Sequence, residues 1–125
     1  MVSRKAISLS TAPRVRQVVL DTADAQFPAD VTALAQSMVA QGDPVYGASC
    51  VGVGQGSMRW SEEELKALEI GVVGSFAGGC QAAGITRFSL LSAVGSTAKS
   101  RIRYVRVMGL KEETVNSTAR KESRT

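Results

Sequence analysis

The chain contains no histidine. With histidine go the commonest general base, the usual Ser–His and Cys–His pairs, and the commonest zinc ligand. Cysteine is nearly absent too: Cys50 and Cys80 lie far apart and cannot form a metal site by themselves. Both read as small buried hydrophobes, since free cysteine packs as one. Metal-dependent hydrolysis and histidine-dependent nucleophilic catalysis are not expected. Aromatic residues make up only 5% of the chain, and none punctuates a basic strip as base-stacking platforms do. No apolar run approaches the roughly 18 residues of a membrane span, and the longest, near Ile70–Ala77, is interrupted by glycine. The N-terminal Met1-Val2-Ser3-Arg4-Lys5 is basic, but no apolar signal core follows it. A soluble cytoplasmic protein without a membrane span is the expectation.

What is present is enough for one core. The chain has 125 residues, 44% hydrophobic and 21% charged, close to the globular average for a single domain. The net charge is +4 and the isoelectric point near 9.4, a balance that suits phosphorylated ligands, membranes or nucleic acid. The basic residues are interleaved with acids: Arg101, Arg103, Arg106 and Lys111 run into Glu112 and Glu113. Nucleic acid is therefore not the expected partner.

The pattern alternates. Val15–Leu20 is short and β-branched, and it ends at Asp21, as a strand entering a turn does. Pro28 and Asp30 open a helix with Val31, Leu34, Ala35 and Met38 on one face, and Gly42 closes it. Val45–Val51 carries little charge and reads as a strand buried on both faces. Ser61-Glu62-Glu63-Glu64 is a capping box for a second helix, with a stripe at Leu65, Leu68, Val72, Phe76 and Ala83 and an end at Gly84. Its glycines at 71, 74, 78 and 79 fit close helix–sheet approach. Arg87–Leu91 is a third strand, and a last helix is expected from Ser100 to about Val115. Strand, helix, strand, helix, strand, helix argues a parallel α/β sheet with right-handed crossovers.

Ligands of such sheets lie beyond the carboxyl ends of the strands. Those ends carry Asp21, the Cys50–Gly56 loop and the Ser92–Ser96 loop. Gly52-Val53-Gly54-Gln55-Gly56 either brings backbone amides to a phosphate or is a plain strand-to-helix connection, because it lacks dinucleotide-fingerprint and P-loop spacing. Ser92 and Tyr104 either polarise and protonate a carbonyl oxygen or simply cap a loop and pack on the sheet. The first role needs a nearby cation, since a phenol's ordinary pKa is near 10.

Phe88-Ser89-Leu90-Leu91-Ser92, the glycine-ended helix before it and the run Ser100–Gly109 resemble an atypical short-chain dehydrogenase/reductase. Within that NAD(P)-binding Rossmann family the resemblance is to the Tat-interacting-protein oxidoreductases. It spans roughly Val2 to Glu113 and is carried mainly by residues 76–113. It implies hydride transfer between NADPH, or NADH, and a small carbonyl compound, with Tyr104 as acid and Ser92 as the oxygen-polarising donor. Ser3, Arg4 and Lys5 would meet the 2′-phosphate of NADP, Asp21 the adenine side, and Gly52 the cofactor-lining turn of the fourth strand. Residues 1–117 would form a partial NAD(P)-binding domain and 118–125 a polar disordered tail.

The departures are specific. The family's first strand, most of its second and its glycine-rich loop have no counterpart, so a truncated, parallel three-layer Rossmann-like sheet is expected. Met108 stands where the Tyr-x-x-x-Lys pair has its catalytic lysine. Lys111 is the next cation, about 10 Å of helix rise beyond Tyr104 against about 6 Å for the family spacing. Without the first strand, the remaining strands are expected either to close up, or to expose an apolar edge for self-association or a protein partner, or to belong to a longer protein. A non-catalytic binding or interaction module is the alternative to an oxidoreductase.

Overall fold

A computed structural model of the chain describes residues 1–4, 15–52, 59–93 and 95–123, the last five by backbone alone. It is an α/β structure with parallel strand pairing. The order is β1 (Val2–Ser3), β2 (Val18–Val19), α1 (Phe27–Val39), β3 (Gly47–Ser49), α2 (Glu62–Lys66), a π-helical stretch (Ala67–Val72), α3 (Val73–Ala82), β4 (Phe88–Leu90) and α4 (Arg103–Ser123). The stretch from α2 to α3 runs without a break.

The single sheet expected from the alternation is not formed. β1 pairs with β2 (Val2 opposite Val18), and β3 pairs with β4 (Gly47 opposite Phe88, Ser49 opposite Leu90), both in parallel. No ladder joins β1 to β3 among the described residues; cavities separate them. β3 is also not buried on both faces, because Ala48 is exposed between buried Gly47 and Ser49.

Local chemistry sets the helix starts. Ser61 Oγ accepts the Glu64 amide at 3.1 Å while Glu64 Oε2 accepts the Ser61 amide at 2.9 Å, the reciprocal capping box. Three glutamates in that first turn complement the helix dipole. Gly42 and Gly84 end their helices at φ of 89° and 87°, a left-handed conformation that a side chain resists. The last helix begins at Arg103 rather than Ser100 and continues to Ser123 rather than ending near Val115.

The π-helical stretch changes which face is buried. Steps of four along an α-helix drift by about 40°; the wider i→i+5 turn takes up that drift. Leu65, Glu69, Val73 and Ala77 therefore share the buried face, one position away from the expected Leu68–Val72–Phe76 stripe. In α1, Phe27, Val31 and Ala35 are buried, while Leu34 and Met38 face a cavity. Ala35, Cys80 and Ile85 form a core cluster edged by Phe76 and Phe88, whose rings meet at 5.8 Å and 53°.

α3 packs against α1, α4 and β3. The approach to α1 explains Gly79: a Cβ there would lie 2.6 Å from Val31 Cγ1. The close approach is thus helix to helix, not helix to sheet. Cys80 is buried as expected, and burial pushes its thiol pKa up; Cys50 is exposed, a departure from its reading as a core residue.

Candidate functional site

The carboxyl ends of β1 and β3 open on one cavity of about 380 Å³. Its walls include Ser3 at the end of β1 and Arg4 after it, Thr22 after β2, Gly52 after β3, and the rings of Trp60 and Phe76. Ser3, Arg4 and Gly52, singled out from separate parts of the sequence, thus line one space. Ser3 Oγ accepts from Gln17 Nε2 at 2.8 Å, which ties the wall to the approach to β2. Asp21 sits beside Thr22, and its carboxylate accepts the Ala23 amide at 3.0 Å, capping its own turn. Lys5, Gly54 and Gly56 lie outside the described residues.

Among the described lining residues, one guanidinium, hydroxyls and the rings of Phe27, Trp60 and Phe76 suit a ligand that carries both a phosphate and a planar ring. Sequence reasoning passed over Trp60 and Thr22. Trp60 is the chain's sole tryptophan, and its place immediately before the Ser61 cap was the signal that could have found it.

Behind the cavity floor lies a pair that periodicity hid. Lys111 on α4 and Glu69 on the π-helical stretch are both fully buried, with Nζ donating to Oε2 at 2.6 Å. Nζ also donates to the Val51 carbonyl at 3.0 Å, fastening the segment after β3 to the helices. Glu69 Oε1 has no hydrogen-bond partner among the described residues, and a Cβ on Gly52 would lie 3.7 Å from it. The signal was present as charge on apolar faces: Glu69 lies between Leu65 and Val73, and Lys111 follows Val107 and Met108 at helical spacing.

Lys111 is therefore committed to Glu69 and Val51 and does not serve as a replacement for the lysine expected near Tyr104. Met108 is buried in the core. Burial, with the Glu69 charge, pushes the Tyr104 phenol above its ordinary value, against the direction that proton transfer at neutral pH requires. Ser92 Oγ donates to Glu112 Oε1 at 2.5 Å and lies 3.2 Å from Ser96 Oγ. Glu112 is eight residues beyond Tyr104 on α4, about 12 Å of rise. No hydrogen bond joins Ser92 to Tyr104 among the described residues.

Arg106 braces the two helices that carry these groups. Its guanidinium binds Glu62 Oε1 at 2.8 Å and the Ser100 carbonyl at 3.2 Å. The bond from Arg106 holds the Glu62 carboxyl below the usual range. No helix of the described residues is long and apolar enough to cross a membrane.

No protein-family model matches the chain, and no curated protein matches it.

Proposed function

We propose that this chain is a non-catalytic nucleotide-binding module, a Rossmann-like relative of the short-chain dehydrogenases/reductases that takes NADPH in the cavity between the ends of β1 and β3. The observation that carries the reading is the meeting of Ser3, Arg4 and Gly52 around one cavity that Trp60 also lines. Arg4 supplies the cation for the 2′-phosphate, the hydroxyls of Ser3 and Thr22 supply hydrogen bonds for the ribose, and Trp60 supplies a face for a planar ring. Catalysis is left out for three reasons: Lys111 is occupied by Glu69, Tyr104 has its phenol pushed upward, and Ser92 is engaged by Glu112. Hydride transfer to a carbonyl would need a cation at Tyr104, where the geometry puts Met108 into the core.

The test is a thermal melt with and without millimolar NADPH, with NADH and adenosine 2′,5′-bisphosphate as comparisons. A ligand that binds the folded state alone adds about 2.7 kcal/mol at a hundredfold excess over Kd, several degrees of Tm in a domain this size. Arg4→Ala should remove most of the shift and the preference for the 2′-phosphate. A melt indifferent to all three nucleotides contradicts the binding reading. Carbonyl-dependent oxidation of NADPH contradicts the claim that the site is non-catalytic.

A further inference from the structure

We propose that the seam between β1 and β3 is a docking slot for one extended, uncharged polypeptide segment of a partner chain, which pairs with both facing edges at once. This inference does not rest on nucleotide binding.

The edges follow from ladder geometry. In a parallel pair, every second residue of a strand turns both its amide and its carbonyl to the neighbour, and the residues between turn both away. The Met1 and Ser3 carbonyls accept from the Val18 and Leu20 amides at 2.8 and 3.0 Å. Val2, between them, points its backbone groups away from β2. Gly47 donates to the Arg87 carbonyl at 3.0 Å, and the Ser49 carbonyl accepts from Leu91 at 2.9 Å. Ala48, between those, points its backbone groups away from β4. Val2 and Ala48 line the same two cavities, so two sheet edges present donors and acceptors to one gap.

The walls of the gap select what enters it. The larger cavity, about 560 Å³, is bounded by Val31, Leu34 and Met38 of α1, by Tyr46, and by Phe76 and Cys80 of α3; none of its described lining residues is Asp, Glu, Lys or Arg, and Arg4 lines only the smaller cavity. Met1, Met38 and Tyr46 on its border are 50%, 47% and 64% exposed, apolar surface that an occupant would cover. An apolar small molecule would satisfy these walls but leave the amides and carbonyls of Val2 and Ala48 without partners. An extended backbone satisfies both, as in strand addition. Two free edges are needed on the incoming strand. A folded second copy offers none from its described strands, because β1 to β4 each already have one edge paired. The occupant is therefore a segment outside any sheet of its own.

The test uses the full chain and a synthetic acetylated hexapeptide of valine and isoleucine flanked by lysines, read by amide hydrogen exchange. Saturating peptide should slow exchange at Val2 and Ala48 by about tenfold or more, and the same peptide N-methylated at alternate positions should bind about tenfold more weakly. Ala48→Pro removes the amide facing the gap while leaving the Gly47 and Ser49 bonds to β4, and should lose peptide binding with its melt retained. If that variant does not fold, the N-methylated peptide decides. Unchanged exchange at both residues, or equal binding of the N-methylated peptide, overturns the proposal. Protection that rises with protein concentration alone, with dimer formation and no peptide, overturns it in favour of self-association.

Discussion

The helical interface and the sheet seam of this molecule are finished to different degrees. Between the π-helical stretch, α3 and α4, even charged atoms are sealed: Glu69 and Lys111 have no exposed surface, like Leu65, Val73 and Val107 beside them. Between β1 and β3, apolar side chains stay open to solvent and two backbone edges face a gap. Helices satisfy their own backbone groups, so they can pack to completion with whatever neighbours they have. A strand cannot, since half of its groups belong to the next strand. The backbone groups of Val2 and Ala48 that face the seam therefore cannot be satisfied by side-chain packing alone.

The contrast breaks most sharply at the buried pair. Lys111→Ala leaves the Glu69 carboxylate without its cation and should cost about 3–5 kcal/mol in chemical denaturation, whereas Glu69→Leu with Lys111→Met should recover most of it. Equal losses in the single and double variants would mean the pair is not the buried unit described. Met108→Lys puts a second cation into the same core without a partner and should cost about 3 kcal/mol. It should gain no carbonyl-dependent NADPH oxidation; a gain of activity would show that the Tyr104 site is only one residue from working.

Two smaller effects sharpen the comparison. Gly79→Ala forces a methyl group onto Val31 and should cost about 2 kcal/mol by overpacking; a neutral result would mean that α1 and α3 are less tightly joined than their geometry indicates. Tyr104 provides the pH test. Its folded pKa is raised, so its contribution to stability is full below the ordinary phenol value near 10 and is lost as pH rises through the folded value. In a Tyr46→Phe background, absorbance titration should show the remaining phenol ionising above that value. Ionisation at or below it would return Tyr104 to the list of activated acids.

Much of the secondary structure was legible because it is locally encoded. The capping box at Ser61, the closing glycines at 42 and 84, and the β-branched Val18-Val19 each declare themselves within a few residues. The buried face of α2 to α3 was misread by one position, because a π-helical turn changes periodicity without any residue that announces it. Pairing was harder still. β1 is two residues long, and its partnership with β2 is fixed across a long intervening segment. Of the site residues, Ser3, Arg4 and Gly52 were found through resemblance. Trp60 and Thr22 were missed because isolated residues next to turns carry no periodic signal. Glu69 was not singled out and Lys111 was read only as the next cation beyond Tyr104, since only tertiary packing turns two distant charges into one buried pair.

The most direct measurement is a nuclear magnetic resonance titration of the labelled chain with NADPH and a small carbonyl compound. The account predicts shifts at the amides of Ser3, Arg4, Thr22 and Gly52 and at the Trp60 indole, with Tyr104 and Lys111 unmoved and the nucleotide still reduced at the end. Shifts centred on Ser92 and Tyr104 with NADP accumulating, or no shifts at the strand ends at all, would contradict it.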